Sequence, residues 1–139
     1  MDAIERKEVV SRVLFYRSGF KNCYVAKTIE NEIAYIQWLI YPSENSIIKK
    51  HFQKRFYLLE EFQVMIENAF TFPKFRGLGI MPVVTKELMK RARERGYKSA
   101  ISYIRKDNII SLNEFMRLNF KITELLKEYK FLGVVKRNL

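Results

Sequence analysis

Residues 73 to 81 read Pro73-Lys-Phe-Arg-Gly-Leu-Gly-Ile-Met81 and form a short turn between an apolar run and a helix-like run. Gly77 and Gly79 permit positive φ angles and close backbone approach, so successive amides can point together toward an anion at a helix start. Arg76 adds a planar, permanently charged fork for phosphate oxygens. The stretch predicts an anion-binding turn suited to a pyrophosphate, and a plain loop is the alternative interpretation.

The segments on either side of this turn have the patterns of a strand and a helix. Phe62 to Phe72 is apolar and aromatic like a buried strand, and its polar pair Glu67-Asn68 indicates a bulge. After the turn, apolar residues recur every four positions between a proline and a glycine, the signals of a helix start and end. These positions are Val84, Leu88 and Ala92, with Pro82 and Gly96 as the flanking signals. The order is therefore strand, anion-binding turn, helix.

A second pattern follows after a predicted strand from Tyr97 to Ile104. It reads Asn108-x-x-Ser111-x-x-x-Phe115-x-x-x-Asn119-Phe120. The two patterns, in this order and spacing, resemble the GNAT superfamily of N-acetyltransferases. The family's usual form is Pro-x-Tyr-Arg-Gly-x-Gly-Ile-Gly, then Asn-x-x-Ala/Ser-x-x-x-Tyr-x-x-x-Gly-Phe. The resemblance is closest over residues 61 to 120 and extends upstream to about residue 22.

The resemblance implies a mixed α/β (α+β) fold in which helices flank a central mixed, mostly antiparallel sheet. It further implies acetyl-CoA as the acyl donor and direct transfer of the acetyl group to an unidentified primary amine in a ternary complex. The donor would contact the end of the strand, the turn and the following helix of the second motif. By resemblance these contacts are Phe70, Thr71, Phe72, Arg76, Gly77, Leu78, Gly79, Ile80, Met81, Asn108, Ser111 and Phe115.

Three residues depart from the family's pattern. Met81 stands where the family has a closing glycine or alanine, so its side chain must either turn away from the phosphates or crowd them. Phe115 replaces a tyrosine thought to protonate the leaving thiolate, and a phenyl ring has no proton to give. Asn119 replaces a glycine, which a left-handed backbone tolerates. A CoA-binding or regulatory module without turnover is therefore an alternative to an active enzyme.

The acid and base of such a reaction need other candidates. Glu67, on the strand before the turn, is the first candidate for the base that deprotonates the amine, although alternation could point it to solvent or to a lysine. Glu60 and Glu61 are weaker candidates. Tyr103 and Tyr129 are candidates for the acid.

The rest of the chain supplies helix and strand signals around this centre. Residues 2 to 18 place Val9, Val10, Val13 and Leu14 on one face of a predicted helix. Residues 22 to 29 and 32 to 41 predict a hairpin. Residues 47 to 59 predict a helix whose aromatic face, if exposed, would favour a homodimer. Residues 120 to 139 predict two closing strands with a turn near Tyr129-Lys130.

Composition limits the class of protein. With 139 residues and 48% apolar content, the chain is expected to form a single domain over residues 1 to 139. The single Cys23 and single His51 argue against a disulfide and against a zinc site. The charged N-terminus and the lack of a long apolar run predict a soluble cytoplasmic protein with no membrane segment.

The formal net charge of +11 favours an anionic partner, and CoA is itself anionic. Basic clusters at residues 49 to 55 and 90 to 95 leave nucleic acid as a less favoured alternative, with Phe52, Phe56 and Tyr57 available for stacking. Solvated helix faces over aromatic core residues explain the same pattern more simply. The acceptor is open between small amines, amino sugars, peptide N-termini and lysines.

Overall fold

A four-stranded sheet lies at the centre of the computed structural model, which describes residues 1–139. In chain order the helices and strands are α1 (Ala3–Arg17), β1 (Cys23–Lys27), β2 (Ile33–Ile40), α2 (Asn45–Ile47), β3 (Gln63–Thr71), α3 (Ile80–Glu94), β4 (Ser99–Ile101), α4 (Ile109–Arg117), β5 (Glu128–Phe131) and β6 (Val134–Arg137). The strand order is β1-β2-β3-β4, antiparallel except for the parallel pair β3 and β4. The predicted mixed α+β fold with a mostly antiparallel sheet is confirmed.

Apolar side chains cover both faces of this sheet. Alternate residues of β2 point to opposite faces, so Trp38 and Ile40 join one buried cluster whereas Tyr35 and Leu39 join the other. The first cluster includes Phe15 of α1 and aromatic residues of the segment between β2 and β3. The second includes residues of α3 and α4. The helices therefore lie on both faces, and none of them is long and apolar enough to cross a membrane.

The predicted bulge in β3 is present. The register pairs Trp38 with Glu67 but Ile36 with Phe70, so the two strands lose step between these pairs. Asn68 takes a positive φ of 60°, a conformation that asparagine accepts more readily than most residues. The bulge bends β3 immediately after Glu67.

A buried arginine of α1 holds the bulge. The Arg12 Nε donates to the carbonyl oxygen of Asn68 at 3.3 Å, and its Nη2 donates to that of Ala69 at 2.9 Å. Its guanidinium also lies 4.5 Å from the centre of the Phe70 ring and pairs with Glu8 at 2.6 Å. Burial lowers the pKa of Arg12, and Glu8 opposes that shift. Arg12 thus satisfies two carbonyls that the irregular pairing leaves free.

The predicted face of α1 is wrong. Val10, Val13 and Leu14 are exposed, and the buried side chains of the helix are Arg12 and Phe15. Phe15 packs edge-on against Trp38 with ring centroids 5.1 Å apart, and Arg12 bonds the bulge. The contacts of Arg12 and Phe15 set the orientation of the helix, and in that orientation the aliphatic side chains face the solvent. These contacts outweigh the burial of the aliphatic residues that their spacing predicts.

The predicted helix over residues 47 to 59 is shorter than expected. It ends as a π-type turn at Ile48–Phe52, and no helix continues to residue 59. Phe52 and Phe56 are buried in the cluster on the α1 face. Of the three rings available for stacking, Tyr57 alone is exposed, so the aromatic face considered for a homodimer or for nucleic acid is reduced to one ring.

The two predicted closing strands form a separate hairpin. β5 pairs with β6 outside the central sheet. The turn lies at Leu132-Gly133, not at Tyr129-Lys130, because Leu132 and Gly133 take the positive φ angles of 49° and 79° that the tight reversal requires. Tyr129 is therefore a strand residue of β5.

Replacing Arg12 by methionine should destabilise the protein. The change keeps the length of the side chain but leaves the carbonyls of Asn68 and Ala69 without their charged donor. We expect the free energy of unfolding in urea to fall by roughly 2–4 kcal/mol. Arg6→Met, at an exposed position of the same helix, is the control and should change it by less than about 0.5 kcal/mol. Equal effects of the two substitutions would contradict the role given to Arg12.

Candidate active site

The turn before α3 has the geometry of an anion site. Gly77 and Gly79 take φ angles of 76° and 73°, and Gly79 is the N-cap of α3. The amides of Gly77, Leu78 and Gly79 donate to no group of the chain. Those of Ile80 and Met81 are in the first helical turn, which has no intrahelical acceptor for them. Five neighbouring amides are thus free at the positive end of a helix dipole.

Space in front of this turn is open. A Cβ built on Gly77 or Gly79 would meet no atom within 4 Å. Met81, which replaces a small residue of the family's pattern, is buried against the sheet, with its Sδ 3.4 Å from the Thr85 Oγ1. Of the two orientations that the sequence left open, its side chain therefore takes the one that leaves the turn clear. Pro82 has no amide hydrogen, so the series of free amides that begins at Gly77 ends at Met81.

Side chains at the end of β3 lie next to the turn. Arg76 folds back so that its Nε donates to the carbonyl oxygen of Thr71 at 3.0 Å, and its terminal nitrogens make no hydrogen bond within the chain. Phe70 and Phe72 pack edge-on with centroids 5.2 Å apart. The free nitrogens of Arg76 can still contact an anion at this end of the strand.

A cavity of about 200 Å³ opens where β3 and β4 separate. The two strands pair only from Gln63 to Met65, and β3 then continues through the bulge without β4 beside it. The cavity is lined by Gln37, Ile66, Glu67, Asn68, Ala69, Ser102, Tyr103, Ile104, Arg105, Asn108, Ser111 and Phe115. It brings together Glu67, Asn108, Ser111 and Phe115 of the predicted site.

This cavity reaches both faces of the sheet. Gln37 lies on the α3 and α4 face, where its side chain contacts Thr85. Glu67 lies on the opposite face. Side chains alternate along β3, so Glu67 shares the face of Met65, which belongs to the cluster beside α1, and not the face of Ile66. A molecule that enters from the α3 and α4 face can therefore meet a second molecule that reaches Glu67 from the α1 face.

Glu67 places a buried carboxyl oxygen at the cavity. Burial raises its pKa from 4.5 to about 7, although the charges of Arg137 and Arg55 partly oppose the shift. Its Oε2 is buried and has no hydrogen-bond partner. A carboxyl group with a pKa near neutrality can exchange a proton with a substrate at physiological pH. Glu60 and Glu61 are exposed and lie outside the cavity.

The two tyrosine candidates lie in different places. Tyr103 lines the cavity, and its hydroxyl oxygen accepts a hydrogen bond of 2.9 Å from the Tyr57 amide. Burial raises the pKa of Tyr103, so its hydroxyl keeps its proton at neutral pH. Tyr129 lies on the β5–β6 hairpin, beside Phe131 and Leu132, and does not line this cavity. Of the two, only Tyr103 can donate a proton into it.

The helix of the second motif closes one side of the cavity. The Asn108 Oδ1 caps α4 by accepting a hydrogen bond of 3.2 Å from the Ser111 amide. Phe115 is buried and packs edge-on against Phe120, with ring centroids 4.9 Å apart. No hydroxyl group therefore stands at the position of the family's tyrosine. Asn119 has a φ of 69°, the left-handed conformation that its place in the motif predicts.

Sequence reasoning missed two polar residues beneath the cavity. Gln37 has no exposed surface, and its Nε2 lacks a partner. Its Oε1 accepts a hydrogen bond of 3.3 Å from the Thr85 Oγ1, and Thr85 is also fully buried. A signal existed in the sequence: Gln37 is the one polar residue in the strand Ile33–Ile40. Thr85 carried no comparable signal, because threonine fits an exposed helix position equally well.

Several solved structures share this architecture. The aminoglycoside N-acetyltransferase AAC(6')-Iy in complex with CoA aligns with a TM-score of 0.59 and 14% identity, over 94% of this chain and 96% of that one. Glucosamine-6-phosphate N-acetyltransferase from Arabidopsis thaliana aligns at 0.55 and 16%, over 91% and 75%. A transcriptional regulator from Bacillus halodurans C-125 aligns at 0.63 and 20%, over 94% and 86%.

These likenesses show the fold: the chain has the fold of the GNAT acetyltransferases. No model of a protein family matches the sequence. No curated protein matches it either. At identities of 12% to 20%, what the solved proteins share with this chain is the arrangement of strands and helices.

The raised pKa of Glu67 predicts a pH-dependent cost to stability. Between pH 4.5 and about 7 the native chain holds a proton that the unfolded chain has released, so the free energy of unfolding falls as the pH rises through this window. Glu67→Gln removes that titration. We therefore expect its stability relative to the native chain to rise from pH 4.5 to 7 and to be constant below pH 4.5.

Urea unfolding at a series of pH values measures this difference. Glu61→Gln, at an exposed position just before β3, is the matched control for the loss of one carboxyl group. A constant difference for Glu67→Gln across the same range would show that Glu67 titrates normally.

Proposed function

We propose that this protein is a GNAT-type N-acetyltransferase that uses acetyl-CoA to acetylate a primary amine. The observation that carries the proposal is the position of Glu67. Its carboxyl group, with a pKa raised to about 7, lies in a cavity between β3 and β4, and β3 leads from this cavity into the turn that carries the free amides of Gly77 and Gly79. An anion site and a base on one cleft are what transfer from an anionic donor requires.

The residues present fit acetyl-CoA as the donor. Five free amides at the start of α3 suit a pyrophosphate, and the open space at Gly77 and Gly79 lets it approach the backbone. Between the turn and the cavity, β3 has an edge that β4 leaves unpaired, and its backbone groups can bond an extended chain that carries amides. The solved relative AAC(6')-Iy, which has the same fold, is a complex with CoA.

Bound acetyl-CoA would supply a thioester as the electrophile. Glu67 would then accept the proton that an ammonium acceptor must lose before its nitrogen attacks, either directly or through water. The new N–C bond forms as the C–S bond breaks, and the leaving sulfur takes up a proton. No side chain of the cavity is a nucleophilic cysteine, and Cys23 lies outside it, so the acetyl group passes directly between the two substrates.

Tyr103 is the side chain best placed to give that last proton. It lines the same cavity as Glu67 and keeps its hydroxyl proton at neutral pH. Tyr103 would therefore supply the proton that Phe115, which has no hydroxyl group, cannot give to the leaving thiolate. A thiolate is also a good enough leaving group for water to protonate it, so loss of Tyr103 should slow turnover less than loss of Glu67.

A CoA-binding module without turnover is the second candidate. The observation that favours it is the burial of Phe115 against Phe120, which leaves no acid at the motif position. Such a module predicts binding of acetyl-CoA without release of free thiol in the presence of any amine. An active enzyme predicts release that depends on the amine.

Gly79→Asp should weaken CoA binding. An aspartate tolerates the left-handed backbone but places a carboxylate among the amides that bind phosphate, so calorimetry at low salt should show a loss of about tenfold or more. Gly79→Asn is the matched control, because asparagine already takes positive φ at Asn31, Asn68 and Asn119. Equal affinities of the two variants would argue against a phosphate at this turn.

Glu67→Gln should lower kcat by about 10²- to 10⁴-fold at neutral pH and leave the Kd for acetyl-CoA unchanged. Thiol release is measured with a panel of amines that contains an aminoglycoside, an amino-sugar phosphate, a peptide N-terminus and a lysine side chain. Tyr103→Phe should give a smaller loss of kcat. Full activity of Glu67→Gln would remove Glu67 as the base, and no release with native protein that binds donor would favour the module.

A further inference from the structure

The unpartnered amide of Gln37 is a buried donor that the fold leaves unused. Gln37 has no solvent-exposed surface, and its Nε2 is bonded to no protein atom. A buried N–H group without an acceptor costs about 1–3 kcal/mol, which is why nearly all such groups in folded proteins have partners. Position 37 keeps this group in the middle of an otherwise apolar strand.

Thr85 fixes the direction of this amide. Its hydroxyl donates to the Gln37 Oε1 at 3.3 Å, so the oxygen end of the amide is turned toward α3. The nitrogen end is left for the cavity, which Gln37 lines together with Phe115 and Ser111 of α4. The missing partner must therefore be a hydrogen-bond acceptor that enters the cavity from the α3 and α4 face.

The place of Gln37 along the cleft indicates which acceptor that is. Thr85 follows the start of α3 at Ile80 by five residues, roughly 8 Å along the helix axis, and Glu67 lies across the sheet. Gln37 thus lies between the anion-binding turn and the base. A donor with its pyrophosphate at the turn and its reactive carbon near Glu67 would pass this point with its acyl-pantetheine chain, whose acceptors are carbonyl oxygens.

We propose that Gln37 is a binding residue for the acyl donor, its Nε2 donating a hydrogen bond to a carbonyl oxygen of the acyl-pantetheine chain. The assignment rests on the proposed function and extends it, because it names the group that recognises this part of the donor. Thr85 is a positioning residue, acting through the amide of Gln37. The Gln37 Nε2 group is shielded from water and already oriented by Thr85, so its hydrogen bond to the ligand gains its full strength on binding.

Calorimetric titration with acetyl-CoA and with CoA tests this assignment. Gln37→Met keeps the length and volume of the side chain and removes the donor, so the Kd for acetyl-CoA should rise about 10- to 100-fold. Thr85→Val leaves Gln37 in place without its orienting hydroxyl and should raise the Kd about two- to tenfold. Thr85→Val is also the second test if Gln37→Met does not fold.

Tyr35→Phe is the matched control. The Tyr35 hydroxyl is likewise buried and lies beside Thr85, but Tyr35 does not line the cavity. This variant should bind acetyl-CoA as the native protein does, which separates a contact with the donor from a general effect of buried polar groups on the same face of the sheet.

The outcomes separate this proposal from the proposed function. Weaker binding of acetyl-CoA alone by Gln37→Met supports a bond to the thioester carbonyl, and weaker binding of both ligands supports a bond to a pantetheine carbonyl. Unchanged binding by a folded Gln37→Met overturns the role of Gln37 and leaves the enzyme intact. Failure of the native protein to bind either ligand overturns both.

Discussion

The two hydrogen bonds from Arg12 to the carbonyls of Asn68 and Ala69 hold the feature on which the site depends. An irregular stretch inside a sheet leaves backbone acceptors without partners, and burial makes that costly. A charged side chain from α1 meets this demand at two oxygens at once, and its stacking on Phe70 fixes it further. The bulge can then persist in the central part of β3, where regular pairing would otherwise be favoured.

The bulge matters because it coincides with the separation of β3 and β4. Past Met65 the two strands no longer pair, and the gap becomes a passage between the two faces of the sheet. Gln37 approaches the passage from the α3 side and Glu67 from the other. Burial in this passage both raises the pKa of Glu67 and leaves the Gln37 amide dry. The separation of β3 from β4 thus places two buried polar groups without full hydrogen bonding at the same passage.

Local signals in the sequence predicted what local geometry decides. Gly77 and Gly79 were expected at positive φ because a helix start with free amides requires it, and Glu67-Asn68 marked the bulge because a polar pair interrupts an apolar strand. Residues whose environment depends on distant parts of the chain were predicted less well. The face of α1 follows from contacts of Arg12 with a strand more than 50 residues away, which no helical periodicity of Val13 and its neighbours encodes. For the same reason Gln37 was overlooked: its meaning comes from a hydroxyl on α3.

In the proposed complex, one ligand occupies the turn, the unpaired edge of β3 and the cavity together. The most direct measurement is a titration of the ¹⁵N-labelled protein with CoA, following the amide resonances of every residue. We expect saturable shifts with one Kd at Gly77, Gly79 and Ile80, at Asn68 and Ala69, and at the side-chain amide of Gln37. Shifts confined to the exposed basic residues of Lys90 to Arg95, with the turn and the bulge unmoved, would contradict it.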